Sequence, residues 1–345
     1  MTPSDTLSMD EVECKLTRIW ETALGRQGIG IRDSFWDLGG HSFIALRIIG
    51  RIEKSLGKTI PLATLLQVST IEGLAKVIRS SGCSPPSSSL AAIQPGGSKP
   101  PFFFVHGIGG MILGFRDLAR HFCPEQPVYG LQAQGVDGNR PPLTSVEQMA
   151  DHYLEEIQMI QPHGPYYLGG LSFGGWVAYE MAQRLRAQGE EVGFLGLLDT
   201  YTHNWSKPAL FLRLLRLPPR RSCALAYSRA VRYVKEARSN VEALFLSRHL
   251  KQVRRTLHHA SDAYVPKPYF GKITFFRPTE KSIRDSDDPR SGWGELARGE
   301  LEIYDVPGGH NNILAEPQVS SLAQQLKSSL NKAQEAFHRD VSASE

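Results

Sequence analysis

Val12, Leu16, Ile19, Trp20 and Ala23 recur at the three-and-four spacing of an amphipathic helix, with polar residues between them. Ser8-Met-Asp-Glu11 ahead of this stripe is a capping-box pattern, and Gly25 supplies a stop. Ile44, Ile48 and Ile52 form a second stripe that begins near Ser42 and ends at Gly57. Pro61 opens a short helical turn, and Ser69-Thr-Ile-Glu72 is another capping box, whose helix runs to about Ser80. The pattern predicts three main helices and one short helix within residues 1–80, a small bundle. Residues 81–89 are almost entirely Ser, Pro, Gly and Cys without apolar periodicity, the composition of a flexible linker.

Beyond the linker the period changes. Phe102-Phe-Phe-Val105 is a short, wholly apolar run ending in His106-Gly-Ile-Gly-Gly110. Tyr166-Tyr-Leu168 leads into Gly169 and Gly170, and a helix follows to about Ala187. Phe194-Leu-Gly-Leu-Leu198 ends in Asp199, and Leu301-Glu-Ile-Tyr304 leads to Pro307-Gly-Gly-His310. Buried strands alternating with helices predict a parallel α/β sheet, in which functional groups collect beyond the carboxyl ends of the strands. His106, Ser172, Asp199 and His310 all fall there. The fold class expected is a helical bundle followed by an α/β domain, with boundaries at 1–80, 81–89 and 90–335 and a tail over 336–345.

Composition narrows the class. At 41% hydrophobic and 21% charged residues over 345 positions, the chain reads as two globular domains. Cys14, Cys83, Cys123 and Cys223 have neither metal-ligand nor redox-motif spacing, so no metal site is expected and the thiols read as reduced. The N-terminus lacks a signal-peptide pattern, and no stretch approaches the roughly 18 apolar residues of a membrane span. The expected location is cytoplasmic, with no stable membrane insertion and no nucleic-acid partner. Net charge is +4, yet Lys207 to Arg255 carries 13 basic residues against Glu236 and Glu242, leaving the remainder at −7. Such a block is either a solvated helix face or a docking surface for an anionic partner.

The most specific local motif is Gly170-Leu-Ser172-Phe-Gly174. This G-x-S-x-G pattern, between a predicted strand and a predicted helix, holds a serine on a tight turn flanked by residues small enough for close packing. A serine hydroxyl needs an imidazole to take its proton, and the imidazole needs an acid to fix its tautomer. Ser172, Asp199 and His310 occur in the order Ser, acid, His. His203 and His106 are rival bases, but His203 lies too near Asp199 in sequence and His106 occupies the loop expected to hold an oxyanion. Asp262 and Asp285 are rival acids. The N–H groups of Phe173 and Ile108 are the expected oxyanion donors.

Residues 90 to about 335 resemble the thioesterase domain that ends nonribosomal peptide and polyketide synthetases, through Phe102 to Gly110, Tyr166 to Met181, Leu195 to Thr200 and Val306 to Ile313. Residues 8–80 resemble a peptidyl carrier domain through Asp33-Ser-Phe-Trp-Asp-Leu-Gly-Gly-His-Ser42. The resemblance implies an α/β-hydrolase with a helical lid over about 203–262. It also implies a 4′-phosphopantetheine arm on Ser42, attached by a phosphopantetheinyl transferase. Ser42 at a helix start suits the arm's phosphodiester, and Gly39 and Gly40 would clear space for the modifying enzyme.

The activity implied is release of an acyl or peptidyl chain from Ser42 through an acyl-enzyme on Ser172, by hydrolysis or cyclisation. Transfer to a separate acceptor, proofreading of misloaded carriers and a non-catalytic carrier module are the alternatives. The cargo would come from upstream synthetase modules or from a loading enzyme. No adenylation, condensation or ketosynthase domain precedes the bundle in this sequence, so the chain is either the end of a longer synthetase or a short protein loaded in trans.

Overall fold

The computed structural model describes residues 9–58, 60–61, 64–80, 88–201, 248–280 and 290–344. Outside them lie Ser8, most of the expected linker, His203, Asp285 and the expected lid as far as residue 247. Much of the basic block falls in that last interval.

The first unit consists of α1 (Met9–Leu24), α2 (Ser42–Leu56), the short α3 (Thr64–Gln67) and α4 (Ile71–Ser80). Its core joins Val12, Leu16 and Trp20 to Ile48, Ile52, Leu65, Leu74 and Ile78, all buried. On α2 the buried stripe is Ala45, Ile48 and Ile52, while Ile44 is only half-buried. The start of α4 also differs from expectation. Thr70 Oγ1 accepts from Gly73 N at 3.2 Å, whereas Ser69 O accepts from Phe35 N at 2.7 Å. Thr70 is therefore the cap, because Ser69 is engaged in holding the long α1–α2 loop. Trp36 Nε1 donates to Leu65 O at 3.2 Å and pins the same loop.

The second unit is built on a seven-stranded sheet in the order β1-β3-β2-β4-β5-β6-β7. The strands are β1 (Leu90–Gln94), β2 (Phe102–Val105), β3 (Val128–Leu131), β4 (Tyr166–Leu171), β5 (Val192–Leu198), β6 (Ile273–Pro278) and β7 (Leu301–Val306). Only β1 runs antiparallel to its neighbour. The helices are α5 (Phe115–Ala119), α6 (Val146–Gln158), α7 (Phe173–Ala187), α8 (Arg248–Ala263) and α9 (Gln318–Ser344). One apolar cluster packs α6, α7 and α8 on one sheet face, and a second packs α5 and α9 on the other. This three-layer order matches the expected α/β architecture.

The last helix runs through residues 336–344, the segment expected to be a tail. No glycine or proline interrupts Gln318–Ser344, and Val319, Leu322, Leu326 and Leu330 anchor its first half in the core. The α8 helix, the described end of the expected lid, buries Leu250, Val253, Leu257 and Ala260 and turns Lys251 and Arg255 to solvent. Among the described residues, no helix is long and apolar enough to cross a membrane.

Candidate active site

Ser172 lies between β4 and α7, with φ 54° and ψ −114°, a backbone conformation costly for a residue bearing a side chain. The surroundings hold it there. Ser172 N donates to Leu198 O at 2.7 Å, and Thr200 Oγ1 donates to Ser172 O at 3.1 Å. The flanking glycines permit the turn by absence. A Cβ on Gly170 would lie 2.2 Å from Gly174 O, and one on Gly174 would lie 2.1 Å from His106 O. The elbow and the His106–Gly110 loop are thus in backbone contact. Phe173 opens α7, and the first N–H groups of a helix lack intrahelical acceptors.

Asp199 follows β5, the strand paired with β4, and also has positive φ, 48°. Its N–H donates to Phe276 O at 2.9 Å on the next strand. Its buried carboxylate accepts from Nδ1 of His310 through Oδ2. His310 lies beyond β7, on a loop held by Gly309 N donating to Asn312 Oδ1 at 2.7 Å and Glu280 N donating to Gly308 O at 2.9 Å. The Asp199 bond places the proton on Nδ1 and leaves Nε2 of a neutral ring free to act as a base. Among the described residues, Ser172 Oγ and His310 share no hydrogen bond; such contacts commonly tighten only with substrate present. Asp262, the rival acid within the described residues, is exposed on α8.

Ile108 is half-buried in the loop after β2, next to the elbow. In this loop Gly110 N donates to Gly107 O at 2.9 Å, and Ala133 N donates to Gly110 O at 2.8 Å. His106 is fully buried, with Nδ1 2.6 Å from Gly107 O and Nε2 2.9 Å from Tyr153 Oη. Burial holds its pKa down to about 4, which leaves it neutral and tied up rather than available as the base. Three residues missed from sequence support the site. Tyr153 meets His106, Thr200 braces Ser172, and Trp293 Nε1 donates to Thr200 O at 3.1 Å.

At the other site, α2 begins at Ser42. Its N-cap, His41, is extended and makes no side-chain cap hydrogen bond, and no acidic residue occupies the first turn. The helix end is thus left with unsatisfied donors and no competing negative charge, a fit for a phosphodiester. Gly40 has a reason internal to the bundle: a Cβ there would lie 2.4 Å from Phe35 O. Gly39, with φ 86° and open space around it, is the conformational hinge of the turn.

The two units are in contact. Met111 packs against both the bundle core and the sheet's α6–α7 core, Leu113 is buried in the bundle cluster, and the Arg116 guanidinium lies 4.4 Å over the Trp36 ring. Residues 111–116 directly follow the His106–Gly110 loop.

Residues 100–330 match the family model of the thioesterase domain, and residues 14–78 match that of the phosphopantetheine attachment site. Malpibaldin synthetase of Mortierella alpina is 32% identical over 331 residues, covering 95% of this chain and 6% of that protein. The dimodular nonribosomal peptide synthase of Bacillus subtilis (strain 168) is 29% identical over 320 residues, covering 86% of this chain and 13% of that protein. The chain therefore spans only a small fraction of these relatives. Among solved structures, a holo four-domain nonribosomal peptide synthetase bound to AMP and glycine aligns with a TM-score of 0.58 and 25% identity, over 95% of this chain and 27% of that one.

Proposed function

The chain belongs to the thioesterase family and carries a phosphopantetheine attachment domain ahead of the hydrolase, and on that premise we propose that Ser172, His310 and Asp199 release an acyl or peptidyl chain carried on Ser42. A phosphopantetheine arm on Ser42 would supply the thioester that presents this chain. His310 Nε2 takes the Ser172 proton as Ser172 Oγ attacks the carbonyl carbon, and Asp199 stabilises the resulting imidazolium. The N–H groups of Phe173 and Ile108 receive the oxyanion. As the intermediate collapses, His310 gives its proton to the leaving sulfur, and the acyl group remains on Ser172. His310 then activates water, or a hydroxyl or amine of the chain itself, to give an acid, ester, lactone or lactam.

The observation carrying this reading is the Asp199–His310 hydrogen bond beside a serine held on a strained elbow. The helix start at Ser42, uncapped by His41, would hold the arm's phosphate. A phosphopantetheinyl transferase would install the arm, and upstream synthetase modules or a loading enzyme would supply the cargo.

The test is intact-mass analysis after coexpression with a broad-specificity transferase and loading with an acyl thioester. The wild type gains one arm and then discharges. Ser42→Ala gains no arm, and Ser172→Ala keeps its cargo. An arm on Ser42→Ala, or discharge from Ser172→Ala at the wild-type rate, overturns the assignment. Mass analysis of the released product separates hydrolysis from cyclisation and from transfer to an added acceptor.

A further inference from the structure

The oxyanion loop is rich in residues that could turn either way. Gly107, Gly109 and Gly110 surround Ile108, and a Cβ built on Gly107 would meet nothing closer than 3.6 Å. Neither backbone preference nor crowding at Gly107 fixes the peptide between residues 107 and 108. Yet this peptide carries the Ile108 N–H. Because a trans peptide is planar, its C=O and N–H point in opposite directions, so whatever holds the Gly107 oxygen also aims the Ile108 hydrogen.

Two donors converge on that oxygen, Gly110 N at 2.9 Å and His106 Nδ1 at 2.6 Å. A carbonyl has no proton to give, so Nδ1 must carry the hydrogen, and Nε2 of the neutral ring becomes an acceptor. Tyr153 Oη, on α6, lies 2.9 Å from Nε2 and donates its one hydrogen to Gln132 O at 3.1 Å. The Gly107 carbonyl itself therefore sets the tautomer. Phe173 stacks on the His106 ring at 28° with centroids 5.9 Å apart, which holds the ring plane. A fully buried imidazole, hydrogen-bonded to Gly107 O and stacked on the residue after Ser172, is more than loop filler.

We propose that His106 is a positioning residue that locks the Gly107–Ile108 peptide with its N–H directed at the oxyanion formed from substrate. It acts through Ile108 and takes no proton from Ser172. The inference rests on the proposed oxyanion role of Ile108.

The experiment compares full-length wild type, His106→Ala, His106→Asn and Ser172→Ala, each with its fold checked by circular dichroism and by pantetheinylation. Rates are read as release from loaded Ser42 and as kcat and KM on a small thioester in solution. Loss of one oxyanion donor costs about 10²–10³ in kcat, so His106→Ala should fall by about that factor with KM nearly unchanged. An Asn amide N–H reaches nearly the position of the His Nδ1–H, so His106→Asn should recover at least about tenfold of the loss.

A folded His106→Ala with kcat close to wild type overturns the inference, as does an Asn variant no better than Ala or a loss confined to KM. If His106→Ala does not fold, His106→Leu, which fills the site without a donor, takes its place in the comparison with His106→Asn. Ser172→Ala separates the two levels. Inactivity there with fully active His106 variants removes the positioning role alone, whereas activity in Ser172→Ala removes the site itself.

Discussion

Asp199 Oδ2 accepts a hydrogen bond from His310 Nδ1 across 111 positions of sequence, the carboxylate side chain 2% exposed and the imidazole 39% exposed. The carboxylate is thus held within the protein while the imidazole is partly open to solvent. Each is fixed by its own strand end, so the pair's geometry depends on the sheet rather than on local sequence.

Asp199→Asn should preserve the fold and the hydrogen-bonding shape but favour the wrong imidazole tautomer. In a related triad this error costs about 10⁴ in rate, and a loss of that order is expected in single-turnover release from Ser42. A rate within tenfold of wild type would move the acid elsewhere, with Asp262 and Asp285 next to be replaced.

Gly174→Ala tests the elbow's packing. The new methyl would lie 2.1 Å from His106 O and 2.5 Å from Val105 O, both backbone atoms with little room to yield. Overpacking of this kind costs about 1–3 kcal/mol. The hydrolase unfolding transition should fall accordingly, by about 2–4 °C for each kcal/mol, and labelling of Ser172 by a covalent serine probe should slow. An unchanged transition would contradict the contact.

Stability should depend on pH through His106. Its folded pKa is about 4 against an ordinary 6.5, because burial penalises the charged ring. Above 6.5 neither folded nor unfolded chain is protonated there, and stability is complete. As pH falls from 6.5 toward 4 the unfolded chain binds the proton first, so stability is lost across this window, on the order of 3 kcal/mol, and levels off below it. Tyr153, the titratable group facing the ring from α6, stays neutral throughout, its pKa raised by burial and then by Glu156. Denaturant midpoints measured between pH 7 and 4.5 should therefore fall more steeply for wild type than for His106→Asn. Equal slopes would exclude the effect.

The Arg116–Trp36 contact should matter for delivery and not for chemistry. A cation over an aromatic face contributes about 0.5–1 kcal/mol at accessible sites. Arg116→Gln should slow release from Ser42 by about two- to fivefold and leave turnover of a small soluble thioester unchanged. Equal effects on both substrates would remove the contact from the delivery step.

The sequence was most legible where function is local. The glycines around Ser172 exist because neighbouring backbone occupies the space a Cβ would need, so the motif itself records the tight turn. The strand-end placement of Asp199 and His310 was readable because apolar runs stop there at polar residues. Tyr153 and Thr200 left no such trace. Tyr153 looks like any core aromatic on α6, and only the approach of Gln132 and His106, 21 and 47 residues away, gives its hydroxyl partners. The cap of α4 was placed one residue early because Ser69 has a competing tertiary task, invisible in the four-residue pattern. The helix through 336–344 was misread because a polar, weakly apolar ending resembles a tail when no breaker shows where a helix stops.

The run from His106 to Arg116 has a bearing on chimeras. Its first half contacts the Ser172 elbow, and its second half lends Leu113 to the core of the neighbouring bundle. A graft that exchanges the bundle at residues 81–89 leaves the hydrolase sequence whole, yet it seats a foreign bundle on a side chain still belonging to the recipient. Donor bundles whose surface does not accept Leu113 would press on the strand-end loop itself. Compatible exchanges should therefore be sought by matching this eleven-residue strap to the incoming bundle, or by moving the strap with it.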